Sequence, residues 1–166
     1  MTDQIDTRQY YFAYGSNMDP RQMKDRCPDA VPSGIGVLSE FKLTFDYWSK
    51  RRKCYVANIT ADASVGSKVW GVLWSVTDDN LLALDGYEGV SSGIYQRINV
   101  DLLVFGIATS AFSYQIRNPG EVGAPSVEYL EHLIEGARAF DLPFSYQTKL
   151  GKISPFQDKK FEGNQI

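Results

Sequence analysis

The chain has 166 residues, 43% of them hydrophobic, with 17 basic against 20 acidic side chains and a net charge of −3. That length suits one domain whose core needs neither disulfides nor a structural metal. A mildly acidic chain without a long basic run argues against a nucleic-acid partner, and no stretch stays apolar long enough to cross a bilayer.

Cys27 and Cys54 make neither a CxxC pair nor a disulfide framework. Free thiols in a reducing cytoplasm are therefore expected. The first nine residues are polar and lack an apolar leader core, which fits a cytoplasmic protein. With no repeat, low-complexity tract or Pro/Gly-rich linker, residues 1–166 read as a single domain with tails over 1–8 and about 155–166.

Tyr10–Tyr14 is aromatic and apolar throughout, the pattern of a strand buried on both faces. Gly15-Ser16-Asn17 turns the chain, and Asp19 before Pro20 predicts a short capped helix over Arg21–Arg26. Strand patterns follow over Gly36–Tyr47, Tyr55–Thr60 and Lys68–Val76. Lys50-Arg51-Arg52-Lys53, in the loop after Trp48, reads as a solvated turn. Thr77-Asp78-Asp79 caps a helix carrying Leu81, Leu82 and Leu84, which Gly86 ends. Strands over Tyr95–Phe105 and Ala108–Ile116 meet at a tight turn on Gly106. After the loop Asn118–Pro125, Ser126 opens an amphipathic helix with Val127, Leu130, Leu133, Ile134 and Ala137 on one face. A second short helix follows Pro143. About six strands dispersed among single helices predict an α+β fold around a mostly antiparallel sheet or small barrel.

Three groupings hold polar chemistry. Tyr11-Phe12-Ala13-Tyr14-Gly15-Ser16-Asn17-Met18 is a buried strand running into a turn at a helix N-terminus. Outward N–H groups there would suit a carboxylate or a developing oxyanion; the same residues also suit an ordinary corner with Gly15 at positive φ. Glu88, among glycines and Tyr87, is either a solvated loop carboxylate or a desolvated proton shuttle. Glu128, His132 and Glu135 share one helix face with metal-compatible spacing, but the pattern reads as a solvated charged face. His132 is the only histidine, and no G-x-S-x-G, G-x-G-x-x-G or P-loop occurs. Triad hydrolases and nucleotide binders are thus disfavoured.

The first two groupings together resemble the γ-glutamyl cyclotransferase family. The resemblance continues through Val69-Trp70-Gly71-Val72-Leu73-Trp74, Leu84-Asp85, Glu88-Gly89-Val90 and Ser92-Gly93-Ile94-Tyr95. It then takes in Pro125-Ser126, Tyr129, Gly136-Ala137, Leu142-Pro143, Tyr146-Gln147 and Lys149-Leu150. It implies a small mixed, mostly antiparallel β-barrel with flanking helices and one cavity. It also implies closure of a γ-glutamyl group to 5-oxoproline without metal or cofactor. Carried over, Glu88 is the acid/base and Tyr11, Phe12, Ala13, Tyr14, Gly15, Ser16 and Asn17 form the substrate-binding segment. Tyr95, Tyr114 and Tyr129 match pocket tyrosines, with Tyr129 touching substrate. The expected partner is a small-molecule γ-glutamyl compound, with no nucleic acid and no membrane; a homodimer stays open.

Branches acting on γ-glutamylamine crosslinks or on glutathione open with loops more like Tyr-Gly-Thr-Leu and Tyr-Gly-Ser-Leu. Asn17 after Ser16 resembles the branch that takes γ-glutamyl-amino acids. Alternatives at this point are a γ-glutamyl-tagged specialised metabolite as substrate, or a non-catalytic binding module on the same fold.

Overall fold

The computed structural model describes residues 7–156. Within them the order is β1 Gln9–Ala13, a 3-10 turn Ser16–Met18, α1 Pro20–Arg26, β2 Val31–Ser39, β3 Phe41–Ser49, β4 Cys54–Ala61 and β5 Lys68–Val76. Then come α2 Asp78–Tyr87, β6 Tyr95–Val104, β7 Ile107–Ile116, α3 Val127–Ala139 and α4 Phe144–Gly151. The expected tails lie largely outside the described residues. At their inner ends, Arg8 donates to the carbonyls of Asp29 and Ser75, and Phe156 N–H donates to Pro125 O.

Strands β1, β5, β2, β6 and β7 close in that order into a barrel, antiparallel throughout except where β1 meets β7. This is the mixed, mostly antiparallel barrel that the resemblance implies. Side chains alternate across each strand, and the registers put Phe12, Leu38, Leu73, Leu102 and Ser113 on one shared, buried face. Gly36 and Gly71 oppose each other on that face. Gly71 makes room for the Phe12 ring: a Cβ there would lie 2.6 Å from Phe12 Cε2 and strike the Ala13 carbonyl, whereas a Cβ on Gly36 would meet Leu102 and Val104. The hairpin between β6 and β7 turns on Phe105 and Gly106, both at positive φ, a geometry that matches strand twist.

Two expected element boundaries need correction. The run expected as one strand over Gly36–Tyr47 is two. Glu40 adopts φ 63°, donates its N–H to Ser67 O and accepts from Asp62 N–H. The chain leaves the barrel there, and β3 pairs with β4 in a separate ribbon. Apolar residues run through the break and Glu is no turn signal, so periodicity misses it. Gly86 does not end α2 either. The helix continues to Tyr87, Glu88 is its C-cap, and the left-handed conformation falls on Gly89 at φ 62°.

The ribbon is tied to the barrel by Asn58, which is 2% exposed. Its Oδ1 accepts from Ile116 N–H at 2.9 Å and its Nδ2 donates to Asp46 Oδ1 at 3.0 Å. Helix α3 packs on the 3-10 turn so closely that a Cβ on Gly136 would reach the Met18 backbone at 2.5 Å. Asp19 locks the same junction: it caps α1 through Arg21 N–H at 2.9 Å and meets His132 Nδ1 on α3 at 2.8 Å. His132, half-buried, thus belongs to an inter-helix contact with the buried Asp19 and not to the solvated face expected for it, whereas Glu135 pairs with Arg138 at the surface. Burial would raise the Asp19 carboxyl, but hydrogen bonds from Arg21 and His132 outweigh it and hold it below the ordinary range.

Gly71→Ala is expected to destabilise the fold by about 3 kcal/mol through overpacking, read as a lower urea midpoint. Asp19→Ala removes a cap and one partner of a buried contact, and should cost about 2–4 kcal/mol. Because the Asp19 carboxyl is depressed in the folded state, its contribution is present above the ordinary value of 3.8 and lost as pH falls through the folded value. Urea midpoints against pH should therefore converge for wild type and Asp19→Ala in acid.

Candidate active site

Alternation along β1 divides the opening motif. Phe12 fills the barrel, so Tyr11 faces outward, stacked on Phe112 at 5.3 Å and edge-on to Tyr114 at 5.6 Å. Beyond the strand, Gly15 leads into the 3-10 turn at φ −111°, not in the left-handed region that a plain glycine corner would use. The N–H groups of Gly15, Ser16 and Asn17 donate to no acceptor among the described residues. The three residues line a recess of about 30 Å³ together with Tyr11, Glu88, Tyr95 and Tyr129. Ser16, Glu88, Tyr95 and Tyr129 also line an outer bowl of about 370 Å³, so recess and bowl are continuous.

Asn17 organises the recess. It is 3% exposed, and its Nδ2 donates to Tyr11 Oη at 3.1 Å and Glu88 Oε1 at 3.3 Å. Its Oδ1 accepts from Gln22 Nε2 at 2.8 Å and Arg26 Nη1 at 3.0 Å. Its backbone carbonyl accepts from Trp74 Nε1 at 3.1 Å. Glu88 arrives from the C-cap of α2 with a side chain 16% exposed and Arg26 Nη1 4.0 Å from Oε1. Burial raises its carboxyl above the ordinary value, while Arg26, Arg52, Arg51 and the Asn17 hydrogen bond pull the other way and do not cancel the rise.

The tyrosines are anchored to backbone. Tyr95 Oη donates to Ala57 O at 2.8 Å, and Tyr129 Oη accepts from Ala57 N–H at 3.0 Å, so one residue of the ribbon positions both rings. Burial pushes the Tyr129 phenol up to about 12. Tyr14 lines the recess, with its Oη donating to Tyr114 O at 2.5 Å.

Phe12, Ala13 and Tyr114 line neither recess nor bowl. The first two are buried barrel residues. Tyr114 stands behind Tyr11 and donates to Asp85 at 2.7 Å. Conversely, the reading of Lys50–Lys53 as a solvated turn is overturned for Arg52, which is half-buried, whereas Arg51 is exposed although it also lines the bowl. The β3–β4 ribbon folds its tip onto the bowl, where Arg52 Nη2 donates to Gln22 Oε1 at 2.8 Å and Ser16 Oγ at 3.3 Å, with its guanidinium 5.0 Å from the Tyr129 centroid. Arg26 and Gln22 were likewise not singled out. Their positions four residues apart on one face of α1, the helix that follows Asn17, were the available clue. Cys27 and Cys54 are buried free thiols, and burial raises that of Cys27 to about 11.

A carboxylate with a raised pKa that shares a small polar recess with N–H donors lacking a protein acceptor among the described residues can move protons beside an anionic oxygen. Comparison with known proteins bears on which reaction this serves. Residues 68–150 match the AIG2-like family. A γ-glutamylcyclotransferase of Bos taurus is 38% identical over 148 residues, 87% of this chain and 78% of the bovine one. The γ-glutamylcyclotransferase of Homo sapiens is 37% identical over the same shares. A solved structure described as a γ-glutamyl cyclotransferase superposes with a TM-score of 0.87 at 34% identity, covering 92% of each chain. A yeast γ-glutamyl cyclotransferase specific to glutathione, 11% identical with a TM-score of 0.59 over 87% of this chain and 94% of its own, shares the fold alone. From the matched lengths and identities, this chain belongs to the γ-glutamylcyclotransferase family.

Proposed function

We propose that Glu88 is the acid/base of this chain's γ-glutamyl cyclotransferase reaction, in which the α-amino group of a γ-glutamyl compound attacks its own γ-carbonyl. The C–N bond of the lactam forms, the bond to the original amine breaks, and 5-oxoproline and the free amine are released. Because nucleophile and electrophile share one molecule, the protein's task is to fold the substrate and manage protons. Glu88 takes a proton from the α-ammonium, and a proton returns through the same carboxyl to the leaving nitrogen. The N–H groups of Gly15, Ser16 and Asn17 are assigned to an anionic oxygen of the γ-glutamyl half, with Tyr11, Tyr14, Tyr95 and Tyr129 shaping the recess.

The observation that carries this reading is that Glu88 lines one recess with three residues whose N–H groups donate to no acceptor among the described residues. The substrate is a small molecule. Among the described residues no helix is long and apolar enough to cross a membrane. Residence in the cytoplasm and one domain over residues 1–166 belong to the same proposal, and a homodimer is compatible with it.

The deciding assay is 5-oxoproline release from γ-glutamyl-alanine, a γ-glutamyl-lysine crosslink and glutathione, with Glu88→Gln alongside. Glu88→Gln should remain folded and lose on the order of 10²–10⁴ in turnover; near-normal turnover would sink the assignment. Since the base form of Glu88 is required and burial raises its carboxyl, kcat/KM should fall in acid with a limb above the ordinary 4.5. Glu88→Gln should lack that limb. Ser16 Oγ accepts from Gln22 at 2.8 Å and Arg52 at 3.3 Å, so Ser16→Ala should cost kcat/KM about fivefold, the worth of one net hydrogen bond. A thousandfold loss would instead place the hydroxyl in the chemistry.

A further inference from the structure

Glu88 leaves α2 at an end with little apolar contact to hold it. Leu84 is buried, but Gly86 and Tyr87 are exposed, and a Cβ on Gly86 would meet open space. Asp85, three residues before Glu88 and so on the same flank of the helix, is the firm attachment. Its Oδ1 accepts from Tyr114 Oη at 2.7 Å and its Oδ2 from Arg97 Nη2 at 2.9 Å, with the side chain 17% exposed. Its carbonyl accepts from Val90 N–H at 3.0 Å. Arg97 on β6 and Tyr114 on β7 stand directly opposite each other in register, so one cross-strand pair grips both carboxylate oxygens. Burial, and then the hydrogen bond to Asp85, push the Tyr114 phenol far above its ordinary value, and it remains a donor.

The same phenol reaches Glu88 by a second route. The Tyr114 ring packs edge-on to Tyr11, whose Oη accepts from Asn17 Nδ2, the amide that also donates to Glu88 Oε1. Resting on the assignment of Glu88 as the acid/base, we propose that Asp85 is a positioning residue: it fixes the end of α2 to Arg97 and Tyr114 and so keeps the Glu88 carboxyl in the recess. Asp85 acts here by geometry. The charges that bear on Glu88 are those of Arg26 on α1 and of Arg52 and Arg51 at the ribbon tip, while Tyr11, Tyr14, Tyr95 and Tyr129 share the recess with it. Glu88 also lines the far larger bowl. With the clamp released, the end of α2 is free to carry the carboxyl into that water, away from the N–H groups of the donor turn.

The experiment follows the titration of the Glu88 carboxyl carbon by NMR, its signal assigned by its absence in Glu88→Gln, beside kcat and KM for 5-oxoproline release from γ-glutamyl-alanine. In the wild type the carboxyl should titrate above its ordinary 4.5. Asp85→Ala and Tyr114→Phe should each move it down toward that value, because a carboxyl released to water loses the burial that raises it. Tyr114→Phe changes no charge at neutral pH, so a movement there reports position and not field. Asp85→Asn keeps an acceptor for the Tyr114 hydroxyl and should fall between wild type and Asp85→Ala. In Asp85→Ala, kcat should drop on the order of tenfold to a hundredfold with KM nearly unchanged, the signature of a misplaced catalytic group. Asp79→Asn, on an exposed residue in the first turn of the same helix, should leave titration and kcat alone. A Glu88 titration unmoved in both Asp85→Ala and Tyr114→Phe overturns the proposal, as does a loss confined to KM. Should Asp85→Ala fail to fold, Tyr114→Phe decides alone. Product release indifferent to Glu88→Gln overturns the acid/base assignment instead, and the titration still decides whether Asp85 positions the carboxyl.

Discussion

The site depends on one buried amide. Asn17 is the point where β1, α1, α2 and β5 meet, through Tyr11, Gln22 with Arg26, Glu88 and Trp74 respectively. A side-chain amide has two donors and an acceptor oxygen with two lone pairs, and Asn17 uses both ends. The arrangement is directional: the nitrogen faces the carboxylate and the phenol oxygen, the oxygen faces the guanidinium. Reversing the amide would set oxygen against Glu88 and nitrogen against Arg26, so the charges around it fix its orientation. An aliphatic residue of similar size would strand several buried polar groups at once. Aspartate would place a second negative charge beside Glu88.

The electrostatics of Glu88 are a contest between burial and cations. Desolvation favours the neutral acid, whereas Arg26, Arg51 and Arg52 favour the carboxylate, and desolvation prevails. Had Arg26 sat at full ion-pairing distance, the charged form of the carboxylate would be favoured further. At 4.0 Å, with its Nη1 donating to Asn17, the arginine supplies field without claiming the carboxylate oxygens as its own acceptors. The α1–α3 junction at Asp19 and His132 holds that geometry from outside the recess.

Much of this was legible in the residues. The aromatic run of β1, the capped start of α1, the helix from Ser126 and the paired strands on either side of Gly106 all carry local signals that tertiary packing did not override. The opening motif pointed to the right corner but not to its division of labour. Period-two alternation on β1 sends Tyr11 to the recess and Phe12 into the barrel, and only pairing registers fix which parity faces which way. The departure from the barrel at Glu40 left no trace because its cause lies in partners at Ser67 and Asp62, distant in sequence. Arg51 and Arg52 were hidden for a related reason. A cationic turn has the same composition whether it meets water or a cavity, and what decides is where the ribbon is anchored, through Asn58 on the end of β7.

The parallel seam between β1 and β7 has a consequence for how the protein comes into being. Tyr11 is registered against Phe112, and Tyr14 donates to a carbonyl a hundred residues further on. The donor turn at residues 15–17 is synthesised well before β7, so its supporting strand has no neighbour on that side until the rest of the barrel has been made. Tyr129 and the helix that backs the turn come later still. Such long loops must close before their contacts contribute, which slows folding. A nascent or truncated chain ending before β7 would therefore lack a formed site, and catalytic competence would arrive late and all at once.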